Sequence, residues 1–124
     1  MPLVTTGRNA ISALMIGTGV YYDASNAHIG VGDSSTAFNV AQTDLQAATN
    51  KHYEPVDSAP TVSGLVETFI ATFEAADANF SWQEFGIFNA SGGNILVRKV
   101  QASITKASPA VVEVTIEVTY ALCP

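Results

Sequence analysis

The chain has few charged residues, and positively charged residues are the scarcest. Of its 124 residues 13% are charged, and five Lys and Arg stand against eleven Asp and Glu, which gives a net charge of −6. Proteins that bind nucleic acids need several cations to displace phosphate counterions. Arg98 and Lys99 are the only adjacent basic residues, and neighbours on a strand point to opposite faces. The composition therefore argues against direct binding of DNA or RNA.

Cysteine and long apolar runs are also scarce. The single cysteine, Cys123, excludes an internal disulfide and fits a protein that is assembled in a reducing compartment. The apolar run at residues 10–16 is too short to span a membrane. The N-terminus also lacks the basic region and long apolar core of a signal peptide. We therefore expect neither a membrane partner nor secretion.

The residues that replace the missing charges are apolar or small and polar, and 48% of the chain is hydrophobic. A chain of this length forms one domain, residues 1–124, with a single modest core. A surface with so little charge is predicted to be covered in part by a partner, because large uncharged apolar surface is usually interface. The alternative is a monomer whose surface is rich in Ala, Thr and Ser.

Alternation of apolar and polar residues with a period of two is the clearest structural pattern. Residues 112–120 carry aliphatic or aromatic side chains at even positions and Glu or Thr at odd positions, which predicts a strand with one buried face. Residues 79–100 predict two strands joined by a Gly-Gly turn, and residues 61–73 predict one long strand that is central or covered on both faces. Shorter strands are predicted at residues 20–22, 28–32 and 51–56. Residues 8–15 predict a short helix. The fold class is therefore all-β, a β-sandwich or jelly-roll-like domain with one short N-terminal helix.

The predicted core draws on these strands and contains one charged residue. Its members are expected to be Phe69, Trp82, Glu84, Phe88, Val114 and Ile116. By strand alternation Glu84 shares a face with Trp82 and Phe88. A buried carboxylate is costly unless it is paired, so Glu84 is expected to accept hydrogen bonds from backbone N–H groups or to pair with Arg98 or Lys106.

Motifs of catalysis and cofactor binding are not found in the sequence. His28 and His52 are the only histidines, and they lie in no cluster of the His-x-x-x-His kind that holds a metal. No Gly-x-Ser-x-Gly motif or phosphate-binding glycine loop is present. We expect no enzymatic activity, no cofactor, no metal and no small-molecule substrate. The alternative is a small hydrolase or sugar-binding module that acts through Glu84.

Two segments resemble the virion structural proteins of tailed bacteriophages. They are residues 78–90 (ANFSWQEFGIFNA), followed by GGNILVR at 92–98 and TK at 105–106, and residues 29–38 (IGVGDSSTAF), followed by TDL at 43–45. The similarity spans residues 28–106. Phe85 stands where the family often has a second tryptophan.

The resemblance implies a non-enzymatic building block that is present in many copies. We expect a capsid decoration, or cement, protein that is assembled in the host cytoplasm and sits on the capsid exterior. Its partners would be the major capsid protein and copies of itself, in a trimer or dimer. The alternative is a tail, collar or fibre-attachment component.

Two segments are the predicted contact regions. Residues 1–6 are expected to form an extended arm that reaches a neighbour by strand addition, and residues 36–50 a contact loop with a helical turn at 43–45. The candidate interface residues are Leu3, Val4, Arg8, Phe38, Val40 and Leu45.

Overall fold

The computed structural model describes residues 2–120, and it confirms an all-β domain with one short N-terminal helix. Along this part of the chain the elements are α1 (Thr5–Met15), β1 (His28–Gly32), β2 (Lys51–Pro55), β3 (Thr61–Ser63), β4 (Val66–Phe73), β5 (Ser81–Phe88), β6 (Ile95–Thr105) and β7 (Val112–Thr119). Within residues 2–120 no helix has the length and apolar character needed to cross a membrane. Cys123 lies outside the described residues.

The strands form two antiparallel sheets that pack against each other. One sheet has the order β2-β1-β5-β6 and the other the order β3-β4-β7. Their facing side chains form the main core, in which Ile29 and Ile87 of the first sheet meet Phe69, Phe73 and Val118 of the second. Burial of these aliphatic and aromatic groups is the main force that holds the sheets together.

Strands β5 and β6 form a hairpin at one side of the four-stranded sheet, and irregular pairing interrupts the alternation of β5. The register shifts between Trp82 and Glu84. As a result Trp82 packs in the inter-sheet core with Phe85, at a ring-centroid distance of 6.1 Å, whereas Glu84 and Phe88 lie on the outer face of the sheet. The expectation that Glu84 shares a face with Trp82 was therefore wrong, because a bulge inverts the alternation from that point.

Residues 61–73 form a hairpin rather than one long strand. Gly64 has a φ of 59°, a left-handed conformation that glycine adopts easily because it has no Cβ. The chain therefore turns here, between β3 and β4. Leu65 lies in this turn and is 49% exposed, whereas Phe69 on β4 is buried. Strand β4 is the central strand of its sheet, as predicted.

Residues 20–22 are not a strand, and α1 begins earlier than predicted. The carbonyl oxygen of Val20 accepts a hydrogen bond from Asn89, and the Tyr22 hydroxyl donates to the Asn94 carbonyl oxygen, so this segment is fixed to the β5–β6 turn. Helix α1 starts at Thr5 rather than at residue 8. Gly7 brings it against β6, where an added Cβ would overlap the Leu96 carbonyl group.

Candidate functional site

The outer face of the four-stranded sheet is covered by residues 34–50, which we call the cover segment. This segment contains no helix or strand, so the predicted helical turn at 43–45 does not form. Leu45 joins Val4, Phe88 and Ile95 in a second apolar cluster. Gly30 makes room for the Phe88 ring, which lies 2.6 Å from the position that a Cβ of residue 30 would take. An aromatic ring therefore packs over the bare face of β1.

Glu84 connects this sheet to the cover segment. Its side chain is fully buried, and it accepts hydrogen bonds from the backbone amides of Gln46 (2.7 Å) and Ala47 (2.8 Å) and from Arg98 Nε (2.9 Å). Gly32 lies directly beneath the carboxylate and leaves no space for a Cβ. Both carboxylate oxygens are thus used in structural contacts, as a buried charge requires.

Arg98 makes the second connection between the sheet and the cover segment. Its guanidinium is fully buried, and Nη1 donates to the Thr36 carbonyl oxygen (2.9 Å) and to Gln42 Oε1 (3.1 Å). Nη2 is buried and has no hydrogen-bond partner among residues 2–120. Lys106 bonds elsewhere, since its Nζ donates to the Glu74 carbonyl oxygen and to Asn79 Oδ1, each at 2.8 Å.

Residues 2–4 pair with β6 of their own chain, whereas residues 1–6 were predicted to form an extended arm that reaches a neighbour. Leu3 forms a β-bridge with Val97 of β6. The Pro2 carbonyl oxygen accepts from the Arg98 amide (3.3 Å), and the Val4 amide donates to the Leu96 carbonyl oxygen (3.3 Å). Because β6 is an edge strand, one row of its backbone groups has no partner strand, and residues 2–4 hydrogen-bond to these groups.

The candidate interface residues differ in how much surface they offer. The Val4 and Leu45 side chains are 0% and 3% exposed, so they were wrongly placed at an interface and belong to the cover-segment cluster. Leu3 and Phe38 are half-buried against the two cores, whereas Arg8 and Val40 are exposed. Of the predicted core residues, five are buried, Phe69, Trp82, Glu84, Phe88 and Ile116, and Val114 is half-buried.

Four apolar side chains at the end of α1 are exposed to solvent. We call Met15, Ile16, Val20 and Tyr21 the helix-end patch; their exposed fractions are 83%, 80%, 49% and 56%. The patch was not predicted from the sequence. The sequence did contain a signal, since apolar residues lie on both sides of Gly17 and Gly19. The chain turns at these glycines, and a turn cannot direct all of its neighbouring side chains into the core.

His52 lies in a cluster with two carboxylates that sequence analysis also missed. His52 and Glu54 are two residues apart on β2, and Asp77 comes from the β4–β5 connection. His52 Nε2 lies 2.9 Å from Glu54 Oε1, and the three ligand atoms all lie within 4.8 Å of one another. Burial, together with the neighbouring charge of Asp77, raises the pKa of Glu54, although the hydrogen bond to His52 opposes this shift. The available signal was the spacing of two, which places both β2 side chains on one strand face.

The histidines have no serine or threonine hydroxyl as a partner in the described part of the chain. His28 Nδ1 lies 2.8 Å from the Asn26 carbonyl oxygen, and His52 contacts Glu54. Comparison with models of known protein families, with curated proteins and with solved structures finds no match.

Proposed function

We propose that this chain is a non-enzymatic structural protein of a tailed-bacteriophage virion, and specifically a capsid decoration protein. The observation that carries the proposal is the resemblance over residues 28–106, taken with the structural task of the residues that make it. The protein would bind the outer shell, together with further copies of itself, at contacts between major capsid proteins.

The motif residues build the internal framework of the fold. Trp82 Nε1 donates to the Ala78 carbonyl oxygen (2.9 Å), and Asn89 Oδ1 accepts from the Asn94 amide (2.8 Å) across the β5–β6 turn. Glu84 and Arg98 hold the cover segment. A motif with these tasks specifies a fold rather than a reaction, which supports a building block over a hydrolase that acts through Glu84.

The helix-end patch supports binding as the mechanism. Met15 and Ile16 are almost entirely exposed on a domain with 13% charged residues, and an apolar surface of this kind is favourable to bury against a partner. Seated across a seam of the shell, the domain would add contacts that the pressure of the packaged genome must break. We assign the patch to that contact in place of Val4 and Leu45.

Deleting the gene and imaging the particles tests the proposal and its alternative. If the chain is a capsid decoration protein, deletion should leave tails intact and give heads that leak DNA on heating. Sturdy heads that lack fibres or a collar would favour a tail, collar or fibre-attachment component, and normal particles without this chain would refute both.

A binding assay on purified heads tests the assignment of the patch. Ile16→Lys places a charge in the helix-end patch and should weaken binding to undecorated heads while the protein stays folded, because a charge is costly to bury. Val62→Lys is the matched control, since Val62 is 71% exposed and lies on β3 of the other sheet. If the two variants bind equally well, the helix-end patch is not part of the interface.

A further inference from the structure

Three side chains that can bind a metal converge where the edge strand β2 meets the β4–β5 connection. Strand β2 pairs only with β1, so it is an edge strand of its sheet. His52 and Glu54 project from the same face of β2, and the His52 ring packs edge-on against Phe73 at a centroid distance of 5.9 Å. Asp77 is held in a turn by its own carboxylate, which accepts from the Glu74 amide (3.2 Å). Each side chain is therefore positioned by the fold, and each is only half-buried, which leaves an approach for an ion.

One of the ligand-atom distances is already close to that around a small divalent ion, and the third ligand atom lies near enough to join. Zn²⁺ takes imidazole nitrogen and carboxylate oxygen at about 2.0–2.2 Å, so ligand atoms around it lie about 3.0–3.5 Å apart. His52 Nε2 and Glu54 Oε1 already lie 2.9 Å apart, and all three ligand atoms are within 4.8 Å of one another. Small side-chain rotations would bring the three onto one ion, and water would complete the coordination.

The electrostatics of the cluster favour a cation. Two carboxylates share a half-buried position with one imidazole, so two negative charges lie close together in a partly desolvated place. A divalent ion would offset the negative charge of both carboxylates. One imidazole with two carboxylates suits Zn²⁺, Co²⁺ or Mn²⁺ better than Ca²⁺ or Mg²⁺, which prefer oxygen ligands alone.

We infer that His52, Glu54 and Asp77 form a binding site for a divalent transition-metal ion, with Zn²⁺ as the best-suited ion. The ion would tie the edge strand β2 to the β4–β5 connection, and so join the outermost strand of one sheet to a loop that leads out of the other. Its role would be structural, and it does not depend on the proposed place of the chain in a virion.

Zn²⁺ titration of the full chain at about pH 7.5 tests the site. Calorimetry should show one-to-one binding, and Zn²⁺ at a hundredfold excess over its Kd should raise the Tm by about 5 °C or more. Co²⁺ should give visible d–d absorption bands that report coordination directly. No heat of binding and no Tm shift at about 1 mM Zn²⁺ would overturn the inference.

Variants separate a ligand role from a packing role. Asp77→Asn keeps the shape of the side chain and relieves the crowding of carboxylates, so without metal its Tm should equal or exceed that of the parent. Its Zn²⁺ response and Co²⁺ bands should nevertheless be lost, and His52→Gln should lose them as well. His28→Gln and Glu113→Gln are matched controls that remove the other histidine and an exposed carboxylate. All variants carry Cys123→Ser, so that the thiol cannot supply a ligand. Retention of the Zn²⁺ response in both Asp77→Asn and His52→Gln would refute the site.

Discussion

Replacing Glu84 with glutamine is the sharpest test of how the cover segment is held. The substitution keeps the volume of the side chain and removes its charge. One oxygen remains to accept from either Gln46 or Ala47, while the new amide group faces the other backbone donor. Arg98 then keeps a buried positive charge whose Nε has lost its ionic partner.

The expected loss of stability is large because both partners are fully buried. Removing one member of a buried ion pair costs about 3–5 kcal/mol, since the remaining charge is left without compensation. Domains of this size have a free energy of unfolding of about 5–15 kcal/mol, so Glu84→Gln should lower the Tm by about 10–25 °C. Arg98→Met should cost a similar amount.

Urea unfolding followed by Trp82 fluorescence and by circular dichroism measures these losses. The double variant Glu84→Gln with Arg98→Met should be no less stable than either single variant, which gives a coupling energy of about 3 kcal/mol. Amide hydrogen exchange should also accelerate at Gln46 and Ala47 ahead of the core strands. Glu113→Gln, on the exposed face of β7, is the control and should change stability by less than about 0.5 kcal/mol.

Additive losses in the double variant would refute this account of the ion pair. A Glu84→Gln loss below about 1 kcal/mol would likewise show that the carboxylate is not the anchor of the cover segment.

Three further predictions concern the helix, the core and the phenols. Gly7→Ala would stabilise an isolated helix by about 1 kcal/mol. In this fold thermal unfolding should instead show a loss of stability, because the added Cβ meets the Leu96 backbone. Ser12→Ala on the exposed face of α1 is the control, and a stabilised Gly7→Ala variant would contradict the packing. Trp82→Ala should cost about 3–5 kcal/mol in urea unfolding, and a folded variant that only fails to assemble would place Trp82 at an interface. Burial raises the pKa of Tyr22 from 10.0 to about 12, so the folded state keeps a proton that the unfolded chain loses. The free energy of unfolding that this group contributes is fully present below pH 10 and should fall as pH rises from 10 towards 12. The fall should be less steep in Tyr22→Phe, and an unchanged slope in that variant would contradict the assignment.

The parts of the fold that follow from local pattern could be predicted from the sequence. The alternation in residues 112–120 and the turn at Gly92 and Gly93 gave β7 and the β5–β6 hairpin, because each depends on neighbouring residues alone. The bulge after Trp82 could not be predicted, since it arises from pairing with β6, and it moved Glu84 to the opposite face. The turn at Gly64 split a run of residues whose alternation continued through it.

The structure of the two predicted contact segments was harder to predict because it depends on tertiary packing. Residues 2–4 and the cover segment have weak patterns, and both lie against the same sheet, where Val4 and Leu45 meet. The cluster of His52, Glu54 and Asp77 joins residues that are far apart in sequence, so no local spacing includes Asp77. The requirement that a buried Glu84 find partners held without knowledge of the fold, because the cost of an unpaired buried charge does not depend on topology.

The proposed role as a capsid decoration protein is tested most directly by cryo-electron microscopy of the phage particles in which we propose that the chain sits. We expect density for the domain on the outer shell, at contacts between major capsid proteins, with the end of α1 facing the shell. Intact, infectious particles whose maps and mass spectra contain no copy of the chain would contradict it.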